Sequence, residues 1–342
     1  MPSLMKSSSC ISTLLLSALA CLPVPAFAQA DNRDKGAAET FGKWVEGSIR
    51  VEALDRWFRI HQPKTFKANA PAVVLLHGGT QSMRKIFSPK AGGTRAWLEL
   101  AEREGFLLIV PNGVNPKTGD TKGDNQNWND LRPAGDERQS EADDVDFIVQ
   151  LLDKTAREYD TDTARVYVTG ASNGGMMAYR LLIEAPEHFA AAAVFIAVLP
   201  DDLPDIKPPG KATPLLIANG TKDPLVKWEG GAIRGQSGRM MSVQESRDWW
   251  IQANRADMKD VEEEFLPDVD VGDGCRLHSS FYPATPGGAA VQFLKIDGGG
   301  HALPSRAHEL PDTFLVRRLI GPLCRDAEGA EIAWRFMAQF RQ

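Results

Sequence analysis

The nine residues Val166-Tyr167-Val168-Thr169-Gly170-Ala171-Ser172-Asn173-Gly174 decide the fold of this chain. An apolar run from Val166 to Thr169 predicts a buried strand, and a helical pattern over Gly174 to Glu184 follows almost at once. Between them lies the pattern G-x-S-x-G, in which two glycines leave room for the neighbouring strand and helix while the serine hydroxyl is exposed at the strand's end. A glycine-rich turn with a capping serine is the alternative, but the strand-turn-helix setting favours a nucleophile.

The rest of the chain repeats this alternation of strand and helix. Runs that are apolar throughout, as in strands buried on both faces of a parallel sheet, occur at Ala72 to Leu76, Phe106 to Val110, Val166 to Thr169, Ala191 to Ile196, Leu215 to Ala218 and Val291 to Ile296. Helical patterns cover Ala96 to Glu104, Asp143 to Tyr159, Gly174 to Glu184, Val243 to Asn254 and Glu331 to Phe340. We predict an α/β fold, a doubly wound and mostly parallel sheet with helices on both faces and sites at the carboxyl ends of the strands.

Charge and the first residues narrow the functional class. The formal charge of -6 over 342 residues argues against a nucleic-acid partner. Lys6, the apolar run Ile11 to Leu22 and the small residues of Ala26-Phe27-Ala28 predict a signal peptide over 1-28 and a single catalytic domain over 29-342, secreted or periplasmic, with no integral membrane segment in the mature chain. A buried N-terminal helix and a lipid anchor at Cys21 are the alternatives.

Two cysteines, Cys275 and Cys324, remain after removal of the predicted signal peptide. Export to an oxidising compartment leads us to expect a disulfide between them, and two separately buried thiols are the alternative. The chain has no short-spaced cluster of cysteine and histidine, so we predict no metal site.

A serine nucleophile needs a base and an orienting acid. His301 is the candidate base among six histidines, because it follows a strand through the flexible Gly298-Gly299-Gly300. In α/β-hydrolases the acid lies between serine and histidine in chain order, and Asp223 has that place in a loop after the strand Leu215 to Ala218. The alternatives are a solvated loop histidine and an Asp-Pro turn residue.

An oxyanion hole requires two backbone donors. The amide after the serine, that of Asn173, is one, and Gly79 is our choice for the other, with Thr80 second. Trp128 lies in a polar loop, where it forms either an aromatic wall for the acyl group or a buried anchor of the loop.

Several motifs occur together over nearly all of the mature chain. They are Leu76-His77-Gly78-Gly79-Thr80-Gln81, Gly170-Ala171-Ser172-Asn173-Gly174-Gly175-Met176, Asn219-Gly220-Thr221-Lys222-Asp223-Pro224 and Gly298-Gly299-Gly300-His301. In this combination the chain resembles the secreted poly(3-hydroxybutyrate) depolymerase and feruloyl esterase group of α/β-hydrolase serine esterases. The resemblance implies hydrolysis of carboxylic esters by Ser172, Asp223 and His301 without a cofactor.

For the substrate, the sequence indicates a class of esters and not a single compound. We expect a small-molecule or oligomeric ester: a short polyester oligomer, a hydroxyalkanoate ester or a phenolic ester such as a feruloyl ester. Because no polymer-binding module follows the final helix, we expect esters in solution to be preferred over crystalline polyester film. Two rivals stay open, a non-catalytic surface-binding protein that keeps the fold, and a peptidase or acyltransferase with the same triad.

Overall fold

The computed structural model describes residues 41–132, 139–201, 207–232 and 238–342. The predicted signal peptide, residues 1–28, lies outside these ranges. Within them, no helix is both long and apolar enough to cross a membrane.

A ten-stranded sheet runs through the described part of the chain in the order β1-β2-β4-β3-β5-β6-β7-β12-β11-β10. Neighbours from β4 to β12 are parallel, and the strands outside them are antiparallel. Every residue of β3 to β7 is buried, as expected for strands covered on both faces. The strands are β1 Lys43–Val51, β2 Leu54–Gln62, β3 Ala72–Leu76, β4 Leu107–Pro111, β5 Val166–Ala171, β6 Ala191–Phe195, β7 Leu215–Gly220, β8 Gly231–Ala232, β9 Arg239–Met240, β10 Glu262–Phe265, β11 Arg276–Tyr282 and β12 Val291–Asp297, of which β8 and β9 form a separate ribbon.

Helices cover both faces of the sheet. Alternate residues of β3 point to opposite sides: Val74 joins a core with helices α2, α3 and α4, and Val73 joins one with α1 and α6. The helices are α1 Ala96–Glu104, α2 Asp144–Tyr159, α3 Asn173–Glu184, α4 Val243–Ala253, α5 Phe314–Ile320 and α6 Gly329–Met337. The predicted doubly wound, mostly parallel α/β sheet with helices on both faces is confirmed.

The predicted bounds of helices and strands agree best with the observed bounds where the elements are most buried. The strand Ala72–Leu76 and the helix Ala96–Glu104 have the predicted bounds. The sequence missed β10, an exposed edge strand of sequence EEEF, and α5, which has no buried residue. Ser48 to His61 predict two strands around a turn near Leu54-Asp55, and the structure places this turn at residues 52 and 53, between β1 and β2.

Cys275 and Cys324 form the predicted disulfide, with their Cα atoms 5.4 Å apart. Cys275 precedes β11, and Cys324 lies in the segment between α5 and α6. The carboxylate of Asp273 accepts hydrogen bonds from the Cys275 amide and the Arg325 amide, both at 2.7 Å. The disulfide therefore ties the approach to the last helix to the antiparallel side of the sheet.

Replacing both cysteines by alanine is expected to lower the free energy of unfolding. The crosslink closes a loop with a sequence separation of 49, for which the loss of chain entropy in the unfolded state gives roughly 4 kcal/mol. Urea unfolding of the double variant and the unreduced wild type measures the difference. Two free thiols per denatured, unreduced chain that has been cleaved after Ala28, and so has lost Cys10 and Cys21, would contradict the crosslink.

Candidate active site

The predicted nucleophile lies on a strained turn between β5 and α3. Ser172 has φ 56° and ψ -125°, a conformation that costs about 1–3 kcal/mol and persists only when its surroundings impose it. Here the Ser172 amide donates to the carbonyl of Phe195 at 3.0 Å, and the Ser172 carbonyl accepts from the amide of Met176 at 2.9 Å. The turn therefore holds the serine beyond the carboxyl end of β5.

The two flanking glycines are required by close backbone contacts. A Cβ atom at Gly170 would lie 2.4 Å from the carbonyl oxygen of Gly174, and one at Gly174 would lie 2.4 Å from that of Leu76. Any larger residue at either position would force the strand and helix apart. The spacing of the sequence motif is thus explained by the packing of the turn.

The predicted acid and base are in direct contact. Asp223 follows β7 and His301 follows β12, which are adjacent parallel strands. His301 Nδ1 and Asp223 Oδ2 are 2.6 Å apart, and the Asp223 side chain is 1% exposed. The other carboxylate oxygen accepts from the amides of Leu225 at 2.7 Å and Val226 at 2.8 Å. A carboxylate so placed accepts a hydrogen bond from Nδ1–H of the imidazole. Nε2 is then the nitrogen without a hydrogen and can act as the base.

The His301 loop is held by the segment that leads to Cys324. The His301 amide donates to the carbonyl of Ile320 at 2.5 Å, and the Gly300 amide donates to that of Pro322 at 2.7 Å. Beyond the histidine, the Ser305 amide donates to the carbonyl of Cys324 at 3.1 Å. The disulfide thus anchors the chain segment against which the predicted base is positioned.

The structure brings Asp223 and His301 into contact, and it places Ser172 at the same edge of the sheet. Within the described ranges, neither the Ser172 hydroxyl nor His301 Nε2 makes a hydrogen bond. In serine hydrolases the bond between these two groups often tightens only once substrate is bound. Ser172 is partly exposed, so its hydroxyl is accessible from solvent.

The two predicted oxyanion donors lie side by side. A Cβ atom built on Gly79 would be 3.5 Å from Cβ of Asn173, which is ordinary van der Waals contact. The amide of Thr80, the second choice for the donor, already donates to Asn127 Oδ1 at 2.7 Å. This bond favours Gly79 over Thr80 as the partner of Asn173.

His77 and Trp128 support the Gly79 loop from inside the molecule. His77 Nε2 accepts from the amide of Gly113 at 3.0 Å, so Nδ1 carries the hydrogen that is donated to the carbonyl of Gly78 at 2.8 Å. Burial lowers the pKa of His77 to about 4, which keeps its ring neutral at neutral pH. Trp128 is 0% exposed, and its Nε1 donates to the His77 carbonyl at 2.8 Å. In this position Trp128 is a buried anchor of the loop and not an exposed aromatic wall.

The described residues offer one group of side chains at metal-ligand spacing, namely Cys275, Cys324 and Asp326. Its two sulfur atoms are joined in the disulfide, so they are not available as thiolate ligands. One oxygen of the Asp326 carboxylate, Oδ1, is also engaged, since it accepts from the amides of Val269 and Asp270. This group therefore has a structural role.

Sequence reasoning missed the polar residues that surround the oxyanion side of the site. Asn127 and Asp130 flank Trp128 in the sequence, and each bonds a residue of the predicted oxyanion hole or its loop. The unusually polar run Asn125 to Asp130 was the available signal, but such runs are also common in solvated loops.

A family model and several known proteins match the chain. The model of the prolyl oligopeptidase family matches residues 99–199, less than a third of the chain. A bifunctional acetylxylan esterase/xylanase of Neocallimastix patriciarum is 27% identical over 191 residues, 55% of this chain and 24% of that protein. NocK, a candidate esterase of Nocardia uniformis subsp. tsuyamanensis, is 27% identical over 330 residues, 92% of this chain and 87% of that protein.

A third relative has a different named substrate. Poly(3-hydroxyalkanoate) depolymerase C of Paucimonas lemoignei is 32% identical over 133 residues, 39% of this chain and 29% of that protein. The chain thus spans less than a third of two of these three relatives. Among solved structures, an acetyl xylan esterase from Aspergillus awamori superposes with a TM-score of 0.51 at 17% identity, covering 78% of this chain and 96% of that one. At this identity the superposition bears on the fold alone.

Proposed function

Because the chain has the α/β-hydrolase fold and is related to carboxylic ester hydrolases, we propose that it is a serine esterase. The observation that carries the proposal is the contact of His301 Nδ1 with the buried Asp223 carboxylate at 2.6 Å. The contact joins residues that follow two adjacent parallel strands, and the strained Ser172 follows another strand at the same edge of the sheet. Strained backbone conformations cluster at active sites, so the strained serine together with the buried acid-histidine pair favours an enzyme over the non-catalytic rival.

The proposed reaction begins with attack of the Ser172 hydroxyl on the ester carbonyl carbon. His301 Nε2 takes the hydroxyl proton, and Asp223 stabilises the resulting imidazolium. The amides of Gly79 and Asn173 donate to the oxyanion of the tetrahedral intermediate. The imidazolium then returns the proton to the alkoxide leaving group, which departs as an alcohol and leaves the acyl group on Ser172.

Water completes the cycle by the same route in reverse. His301 removes a proton from a water molecule, which attacks the acyl carbonyl and forms a second tetrahedral intermediate. The proton passes to Ser172 as the acid is released. No cofactor enters any step.

For the substrate, we propose small or oligomeric esters, namely acetyl esters, hydroxyalkanoate esters and phenolic esters such as feruloyl esters. The names of the relatives support acetyl and hydroxyalkanoate esters, since they include acetylxylan esterases and a poly(3-hydroxyalkanoate) depolymerase. The match to the prolyl oligopeptidase family keeps peptide amides as the rival substrate class. We also propose cleavage after Ala28 and export, which would supply the oxidising environment that the disulfide needs.

A substrate panel is expected to show esterase activity and at most a trace of amidase activity. The panel comprises p-nitrophenyl acetate, p-nitrophenyl butyrate, methyl ferulate, a hydroxybutyrate dimer, acetylated xylan and a prolyl p-nitroanilide, with crystalline polyhydroxybutyrate film as the insoluble substrate. We expect kcat/KM to be highest for the soluble short-acyl or aryl esters. Faster turnover of the anilide than of every ester would overturn the proposal, and film loss as fast as soluble ester turnover would overturn the substrate preference.

A further inference from the structure

The side chain of Asn173 is bonded at both ends of its amide group. Its Oδ1 accepts from the amide of Trp128 at 2.9 Å, and its Nδ2 donates to Asp130 Oδ2 at 2.6 Å. The Trp128 amide can only donate and the carboxylate oxygen accepts, so the two partners fix which way the Asn173 amide faces. Asn173 is 5% exposed, and water therefore competes little for these bonds.

Asp130 is a buried charge with a specific partner. Its side chain is 0% exposed and that of Arg132 is 5% exposed. Arg132 Nε lies 2.9 Å from one carboxylate oxygen of Asp130 and 3.0 Å from the other, and the Arg132 amide adds a bond at 3.0 Å. A buried carboxylate needs such neutralisation, and its bond to the Asn173 amide is then a charge-assisted one in a site of low dielectric.

The two hydrogen bonds of the Asn173 side chain, to Trp128 and Asp130, are called the clamp below. The clamp acts next to the Ser172–Asn173 peptide bond, which carries the proposed oxyanion donor. The direction of the Asn173 amide depends on ψ of Ser172 and φ of Asn173, and Ser172 is the residue held at a strained φ of 56°. A strained backbone relaxes unless surrounding contacts over-determine it. Fixing the Asn173 side chain at both amide atoms restrains its Cα, and with it the peptide plane that carries the oxyanion donor.

The same loop also holds the other side of the oxyanion hole. Asn127 Oδ1 accepts from the amide of Thr80, next to Gly79, and would be 3.4 Å from a Cβ atom at Gly79. Residues 127–130 therefore contact both Asn173 and the Gly79 loop. One short loop sets the distance between the two donors.

On these grounds, and resting on the function proposed above, we propose that Asp130 is a positioning residue of the oxyanion hole. It acts through the Asn173 side chain and does not touch the substrate. Replacement by asparagine turns one carboxylate oxygen into a donor. When that donor faces Asn173 Nδ2, the bond to Asn173 is lost directly. When it faces the Arg132 amide and Nε, the bonds that hold residue 130 in place are lost and the bond to Asn173 is no longer charge-assisted.

The test uses the rate at which a fluorophosphonate probe modifies the full-length protein. The Ser172 oxygen attacks phosphorus, fluoride leaves, and the serine proton goes to His301, while the phosphoryl oxygen occupies the oxyanion hole. We expect Asp130→Asn to slow labelling by about 10–100-fold, since a misplacement of ~1 Å costs about 10²-fold and loss of a whole donor about 10²–10³-fold. For p-nitrophenyl acetate, kcat is expected to fall by a similar factor with KM unchanged.

Asp162→Asn is the matched control. Asp162 is also a buried aspartate paired with an arginine, at 2.7 Å from Arg165 Nε with a side chain 5% exposed, but it precedes β5 at the end opposite Ser172. This variant is expected to lose stability and keep the wild-type labelling rate. Equal slowing in both variants would assign the effect to destabilisation and overturn the proposal.

A second variant covers the case in which Asp130→Asn fails to fold. Asn173→Ala retains the backbone donor and the pair of Asp130 with Arg132, yet removes the clamp, so it should slow labelling by the same factor. The double variant should be no slower than either single variant, because both break one linkage.

Wild-type labelling rates in a folded Asp130→Asn or Asn173→Ala protein would overturn the inference, whatever esters are hydrolysed. A wild type that is labelled but hydrolyses no ester would overturn only the proposed function, and one that is not labelled would overturn both.

Discussion

Ser172→Ala is expected to lower kcat for p-nitrophenyl acetate by on the order of 10⁶-fold and to leave the fold intact. The hydroxyl is the proposed nucleophile, and removal of such a group eliminates the acyl-enzyme route altogether. The turn at φ 56° already carries a Cβ atom, so alanine adds no steric conflict there. Steady-state kinetics and the urea midpoint measure the two effects.

An exposed serine on an outer strand provides the control. Ser48 lies on β1, and Ser48→Ala should keep both the activity and the stability of the wild type. Residual activity of Ser172→Ala above about a thousandth of the wild-type value, on a scale where loss of a triad nucleophile costs about 10⁶, would remove Ser172 from its proposed role.

Loss of the base or of its orienting acid is expected to have the next largest effects. His301→Ala should lower kcat nearly as far as Ser172→Ala, because His301 is the proposed acceptor of the hydroxyl proton. Asp223→Asn should lower kcat by roughly 10⁴-fold, because an amide in place of Oδ2 no longer holds the tautomer with Nε2 free. Initial rates over the accessible pH range give both values.

Asp201→Asn is the control for the acid. Asp201 pairs with Arg239 at 3.2 Å, and its side chain is 47% exposed, so its replacement should leave kcat unchanged. If Asp223→Asn keeps full activity while another aspartate between Ser172 and His301 is essential, the assignment of Asp223 is wrong.

The limits of sequence reasoning follow the burial of the elements. The apolar runs that became β3 to β7 were visible because a strand between two layers of helices is apolar on both sides. Helix α5 and strand β10 were not visible. The first buries no side chain, and the second is formed by backbone pairing with β11 at an exposed edge. Elements without a buried face leave no hydrophobic period to detect.

The candidate site also contains residues that local sequence patterns predict and contacts that only the fold shows. The motif around Ser172 and the chain order of Asp223 and His301 are local patterns, and they were sufficient to predict which strand ends would carry the candidate residues. The sequence is compatible with Trp128 at the surface or in the interior, and the fold places it inside, bonded to the His77 carbonyl. The partners of Asn173 were not predicted at all.

The sequence by itself determined the parallel sheet, its strand ends and the three candidate triad residues, because these follow from local burial patterns and turn chemistry. Only the tertiary structure decided that His301 meets Asp223 across 78 positions of sequence and that Asp130 bonds Asn173 across 43. Such contacts depend on the accumulated path of the backbone through several strands and loops. Side chains that form them are selected by geometry that no short stretch of sequence contains.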